Sequence, residues 1–194
     1  MQIRLAKFVI GAFVVALFGC GGGAASESQT FEALLLLVEK GESVLEDGKV
    51  TFEPAQKDFL ECLTQITYQP WGCETERQYL ENAFDATLEK YEFQGLMAET
   101  NSLRLTGNEE ASRARDSFVK HLRAWRDYIS DFRYSMPSSA QISSEDYTFV
   151  VTWKDISDNN QISDTFDELC SGLGNAQPSK TSEFSGRIID ICDD

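Results

Sequence analysis

TGNEEASRARDSFVKHLRAWRDYISDFRY, residues 106–134, is the stretch whose reading decides the fold. Ala111, Phe118, Leu122, Trp125, Ile129 and Phe132 recur in steps of three, four or seven, the spacing that lines one face of an α-helix. Thr106-x-x-Glu109 has the form of a capping box, and Met136-Pro137 ends the pattern. Upstream, a second capping box, Thr75-x-x-Gln78, opens a stripe of Leu80, Phe84, Leu88 and Tyr91 that continues towards Thr100. At 1.5 Å per residue each helix is about 40 Å long. The short link at 101–105 predicts that they fold back as an antiparallel hairpin.

The flanking segments repeat the period. Between Thr30 and Asp47, Phe31, Leu34, Leu35, Val38 and Leu45 form a helical stripe, interrupted at Gly41 and stopped at Gly48. Leu34 to Val38 is apolar on nearly every side, which predicts deep packing. A further helix is expected from Pro54 to Thr67, with Pro54 in its first turn and Ala55, Phe59, Leu63 and Ile66 facing the core. Gln69-Pro70-Trp71-Gly72 then turns the chain and leaves Trp71 as the aromatic expected at the surface. Residues 147–153 alternate like a strand, yet Phe149, Trp153 and Ile156 share a helical face behind Ser143-x-x-Asp146; helix is the reading taken. Two short helices, Ser163–Leu173 and Ser182–Cys192, complete the chain. The expected fold class is all-α: one bundle of about six to seven helices around the long hairpin.

The N-terminus reads differently. Arg4 and Lys7 precede a charge-free apolar run from Phe8 to Phe18, too short to span a membrane and of signal-peptide length. Leu17-Phe18-Gly19-Cys20 then resembles the lipobox of bacterial lipoproteins, with Phe18 bulkier than the usual residue at its position. The resemblance implies cleavage before Cys20, lipid on its sulfur and attachment to a membrane. Several acyl chains give durable anchoring where one is marginal. Gly21, rather than Asp, after the cysteine implies the outer membrane if the host has two. The chain thus divides into a signal peptide (1–19), a lipidated cysteine with a glycine-rich tether (20–29) and a helical domain (30–194).

Loss of residues 1–19 removes Arg4 and Lys7 and no acid, leaving 15 of the 17 basic side chains against 32 acidic ones, a net charge of −17. Such a surface repels nucleic acid and anionic headgroups and suits a basic protein partner or loosely held divalent cations. Of five cysteines, Cys20 is assigned to lipid. Cys62, Cys73, Cys170 and Cys192 remain, and three pairings are possible in an oxidising compartment. Sequence proximity favours Cys62–Cys73 and Cys170–Cys192; a metal site is the rival, weakened by the absence of CxxC and the single histidine.

Candidates for chemistry are few. His121, the one histidine, lies beside the core stripe of the 106–134 helix and reads as a boundary residue with no carboxylate at helical spacing to orient it. That helix carries six basic and five acidic side chains, with Glu109–Arg113, Asp116–Lys120 and Arg123–Asp127 at i,i+4. Its charges read as a solvated face, as a dock for acidic partners or as an internal dock for the protein's own acidic helices, with Arg123 and Arg126 as candidate partner contacts alongside Trp71. Asp155, Asp158, Asn159, Asn160 and Asp164 are oxygen ligands without the EF-hand spacing. No phosphate-loop, dinucleotide, zinc-protease or haem motif is present, and no cofactor or metal is expected. Three functions are weighed. The first is a non-catalytic envelope module that binds a protein or polymer. The second is an inhibitor or immunity-type protein against a basic cell-wall hydrolase, since Cys62-x10-Cys73 and the helix after it are similar to the lipoprotein lysozyme inhibitors over about thirty residues. The third is an enzyme of unrecognised type.

Overall fold

The computed structural model describes residues 26–65, 73–90, 93–105, 108–136, 161–178 and 182–193. These form six helices: α1 (Glu27–Gln65), α2 (Glu74–Lys90), α3 (Phe93–Ser102), α4 (Glu109–Ser135), α5 (Gln161–Ala176) and α6 (Ser182–Cys192), and no strand occurs among them. The all-α bundle expected from the sequence is therefore the fold. The alternating segment 147–153, Trp71 and the apolar N-terminal run lie outside the described residues.

Cross-helix contacts set the topology. Phe84 packs on Phe132 and Asp85 pairs with Arg133, while Arg115 donates to the Leu103 carbonyl at the other end. α2 and α3 thus run antiparallel to α4, as the hairpin reading requires. α5 also lies antiparallel to α4 and is its broadest contact: Gly172 approaches Ala114, Lys120 pairs with Glu168, and His121 meets Thr165. α1 runs parallel to α4 on the other side, and α6 closes the bundle against α1 through Phe31–Phe184 and the Arg187–Glu39 pair. The predicted stripe of α4 is buried throughout, as are Phe31, Leu34, Leu35, Val38, Leu45, Ala55, Phe59, Leu63, Leu80 and Phe84. Of the apolar run in α1, Leu36 alone is left exposed.

Several boundaries differ from the sequence reading. α1 is one helix where two were predicted: Gly48 does not stop it and Pro54 lies inside it. A helical glycine costs about 1 kcal/mol and an interior proline about 3. Burial of a large side chain returns roughly 1.5–3 kcal/mol, and Leu45, Phe52, Ala55 and Phe59 are all buried on one continuous face. Val50, whose carbonyl loses its helical partner to Pro54, is exposed, so water can reach it. The start of α1 is set by a reciprocal capping box absent from the sequence reading: Gln29 donates its backbone N–H to Ser26 Oγ, and Ser26 donates its own to Gln29 Oε1.

The long helix expected from Thr75 to Thr100 is instead α2 and α3. Continued in phase from Leu80 and Phe84, it would carry Gly95 and Ala98 to the core, whereas Phe93, Leu96 and Met97 are the residues buried. A break restores their register. Thr75 lies within the first turn of α2 and forms no cap. The cap of α4 is Asn108 rather than Thr106: its Oδ1 accepts from the Ala111 N–H at 2.9 Å, and its Nδ2 donates to the Ala176 carbonyl at the end of α5. One side chain thus serves two helix ends, and Glu109 and Glu110 fall in the first turn, where the helix dipole favours them. Gly174 does not end α5, which continues to Ala176.

The cysteines pair as sequence proximity suggested. Cys62–Cys73 joins α1 to the start of α2, and Cys170–Cys192 joins α5 to α6, with Cα separations of 5.7 and 5.9 Å. Peptide mapping without reduction is expected to recover these two pairs. Replacement of Cys170 and Cys192 by serine should lower stability by about 2–4 kcal/mol in chemical denaturation. Recovery of a Cys62–Cys170 peptide would contradict the fold.

Candidate functional site

Between α1, α4, α5 and α6 the bundle leaves a cleft of about 580 Å³. Its walls follow from three helix faces. α1 supplies Glu39, Glu42, Glu46 and Lys49 on successive turns, α4 supplies His121 and Trp125, and α5 supplies Ile162 and Phe166. Arg187 and Asp190 of α6 close one side, and the Arg187 guanidinium is held by a two-pronged pair with Glu39 at 2.7 and 2.9 Å.

The centre of the cleft floor is an imidazole–carboxyl pair. His121, read as a boundary residue, is 1% exposed, so its polar ring needs partners. α5 and α1 provide them. His121 Nδ1 lies 3.0 Å from Thr165 Oγ1, and Nε2 lies 3.6 Å from Glu42 Oε1. Thr165 Oγ1 sits 2.9 Å from the Gln161 and Ile162 carbonyls, so its hydrogen points back along its own helix. Nδ1 is therefore the donor to Thr165, and the neutral ring turns the bare lone pair of Nε2 towards Glu42. Burial pushes the imidazole down from 6.5 to about 4, with Lys49 adding to the effect and a backbone hydrogen bond to Ile162 opposing it. The Glu42 carboxyl is pushed up to about 7, again by burial first, with Lys49 opposing and Glu46 reinforcing. Its Oε1 is a buried acceptor without a hydrogen bond, while the side chain as a whole keeps 26% of its surface. Between about pH 4 and pH 7 the titrating proton of these two groups therefore sits on Glu42 and not on His121.

Hydroxyl, imidazole and carboxyl stand in the order of a nucleophilic triad, but the hydrogen bonds run the wrong way. The ring donates to Thr165 and cannot take its proton, and Thr165 is 2% exposed. The arrangement holds the ring still; it does not activate the threonine.

Lys49 is the second cation of the cleft. Its Nζ stands 3.4 Å from Glu46 and 5.5 Å from the centre of the Trp125 ring, an ammonium–aromatic contact.

The residues singled out from the sequence are distributed differently. Cys20 and Trp71 lie outside the described residues. Arg123 is exposed on α4, on a different face from the cleft lining, and Arg126 is half-buried and bonded to Asp127 at 2.9 and 2.5 Å. Only Glu109–Arg113 forms among the three predicted i,i+4 pairs. Asp116 binds Arg115, and Lys120 crosses to Glu168 of α5. Lys120 and Arg133 thus reach across to acidic side chains of neighbouring helices. Among the described residues no cluster of His, Cys, Asp and Glu could hold a metal; Asp164 is exposed in the first turn of α5, and Asp155 to Asn160 are not described.

Sequence reasoning missed Glu42 and Thr165. The signal for Glu42 was legible, because it stands four residues after Val38 and three before Leu45, where the stripe calls for an apolar side chain. No family model, no curated protein and no solved structure matches this chain.

Proposed function

We propose that the protein is a lipid-anchored, non-catalytic binding module of the cell envelope, tethered through Cys20 to the outer membrane of a two-membrane bacterium, with the α1–α4–α5–α6 cleft as its ligand seat. The observation that carries this reading is the make-up of the cleft. It joins an aromatic and aliphatic wall (Trp125, Phe166, Ile162) to an acidic rim around an immobilised histidine. Apolar walls with a few fixed polar groups are how proteins recognise ligands. A basic envelope protein, a cell-wall hydrolase among them, is the partner that such a rim and a net charge of −17 after processing would favour.

Two measurements test it. Cys20→Ser should move the protein from the membrane to the soluble fraction with its helical circular dichroism unchanged; continued membrane retention after signal cleavage would exclude the lipid anchor. A photo-crosslinking residue at exposed Ser43, on the cleft rim, should capture an envelope partner that the same residue at exposed Tyr79 on α2 does not. Charge reversal at Arg123 and Arg126 asks whether the outer side of α4 contributes. Capture from Tyr79 alone would remove the cleft from the proposal.

A second reading has its own observation. A carboxyl near pKa 7 in a cleft is poised for proton transfer, so Glu42 gives an enzyme of unrecognised type a general acid or base. In that case Glu42→Gln and His121→Ala, in folded and anchored protein, would each reproduce the deletion phenotype.

A further inference from the structure

We propose that the cleft binds a primary ammonium group carried on an alkyl chain, with the ammonium at the Glu42 carboxyl and the chain along Trp125 and Phe166. The inference rests on the cleft being the ligand seat and names the chemistry of what enters it.

Three observations converge. The first is charge. Five carboxyls line the cleft (Glu39, Glu42, Glu46, Asp47 and Asp190) against two cations, and the Arg187 guanidinium is already occupied by Glu39. With Glu39 paired to Arg187 and Glu46 to Lys49, the remaining carboxyls still leave the cleft net acidic, which disfavours an anionic ligand. The second is the aromatic wall. Lys49 already holds a primary ammonium over the Trp125 ring at 5.5 Å while pairing with Glu46, so the protein's own side chain displays the contact that a ligand would repeat. The third is Glu42. Its carboxyl straddles the floor, with Oε1 buried beside His121 and lacking a hydrogen bond while the remainder of the side chain reaches the cleft. A cation at the open side would give this carboxyl a direct partner, where Lys49 acts on it only through its charge.

Entry of an ammonium is linked to a proton. The groups that line the cleft with Glu42 are Glu39, Glu46, Asp47 and Lys49 of its own helix, His121 of α4, Arg187 and Asp190 of α6, and only neutral Ile162, Ser163 and Phe166 of α5; Lys49 and Glu46 are the charges that act on it most. Burial keeps its carboxyl protonated up to about pH 7. The ion pair needs the carboxylate, and His121, pushed down to about 4, does not take the proton, so binding releases it to solvent. Affinity should accordingly rise as pH climbs towards 8, by up to about tenfold for each pH step of one below the Glu42 pKa.

The test is calorimetric titration of the full chain, in neutral detergent, with two probes: 1,5-diaminopentane, a free diamine, and the capped tripeptide acetyl-Gly-Lys-Gly-amide, a protein-borne lysine. Nζ-acetylated tripeptide is the control. The expected result is binding of an amine probe that weakens at least about tenfold in Glu42→Gln and is lost on acetylation, because removing one partner leaves the other charge desolvated and unpaired. At pH 8.5, where Glu42 is ionised and the amine still charged, Lys49→Gln should bind more tightly, the internal competitor having been removed. Preference for the diamine assigns the site to free polyamines, and preference for the tripeptide assigns it to a basic protein segment. Equal binding of the acetylated control, equal binding by Glu42→Gln, or calcium chloride binding in place of either amine overturns the proposal. If Ser43 still crosslinks an envelope partner while no amine binds, the ammonium inference fails and the binding module stands. If neither occurs, both fall.

Discussion

Gly41→Val is expected to cost the protein more than about 3 kcal/mol, enough to consume much of the 5–15 kcal/mol that holds a domain of this size together. A Cβ built at Gly41 would lie 2.5 Å from Phe118 Cζ, 2.9 Å from Cε2 and 3.4 Å from Leu96 Cδ2. Phe118 is fully buried and has nowhere to swing. Even Gly41→Ala, which by helix propensity alone would gain about 1 kcal/mol, should end as a net loss, because overpacking a full core costs about 1–3 kcal/mol. Gly174 and Gly186 supply the internal comparison. A Cβ at either meets nothing within 4 Å, so alanine there should stabilise by up to about 1 kcal/mol. Denaturant titrations of the three alanine variants decide the matter: a Gly41→Ala protein as stable as Gly174→Ala would refute the close approach. Pairing Gly41→Ala with Phe118→Leu should recover part of the loss, since the two residues share one space.

That glycine links the fold to the site. It lets α1 lie close against α3 and α4 at the point where Glu42, the next residue, must reach His121. In the sequence Gly41 reads as an interruption of a stripe, because a propensity argument records what glycine costs a helix and not what its missing side chain permits between helices. The same limit explains α1 as a whole. Gly48 and Pro54 are real local signals for termination, and they were overridden by a buried face, Leu45 to Phe59, that is continuous only if the helix is. Where local and tertiary preferences agree the reading holds: the α4 stripe is buried at every predicted position, and α6 spans Ser182–Cys192 as expected. Both disulfides were legible for a similar reason, since each closes a short loop between consecutive helices. The site was not. His121 could be seen but not its environment, because Glu42 and Thr165 come from helices that are remote in sequence. Only the parallel packing of α1 and the antiparallel packing of α5 bring them to one ring.

Glu42→Gln and His121→Gln are expected to change stability with opposite dependence on pH. The folded Glu42 carboxyl titrates near 7 instead of 4.5, so between those values the native state binds a proton that the unfolded state has lost, and stability falls as pH rises. The folded His121 imidazole titrates near 4 instead of 6.5, so over that interval the unfolded state is the one that binds the proton, and stability falls as pH drops. In the wild type the two slopes nearly cancel between about pH 4.5 and 6.5. Each state then carries one proton on the pair, held by Glu42 when folded and by His121 when unfolded. Either substitution exposes the other slope. Relative to the wild type, Glu42→Gln should gain stability as pH rises from 4.5 to 7, and His121→Gln should gain it as pH falls from 6.5 to 4. Each gain is on the order of 3 kcal/mol over its full range, since a tenfold change in proton affinity between the two states is worth about 1.4 kcal/mol. Urea titrations at half-unit steps from pH 4 to 8 measure both. Parallel curves for the two variants would mean that burial does not shift the carboxyl and the imidazole in opposite directions, and the cleft floor would lose its linkage to ligand charge. Opposite curves would establish that Glu42 is protonated below about pH 7, the state from which a cation bound there would have to displace a proton. The binding enthalpy would then shift with the ionisation enthalpy of the buffer in the wild type and not in Glu42→Gln.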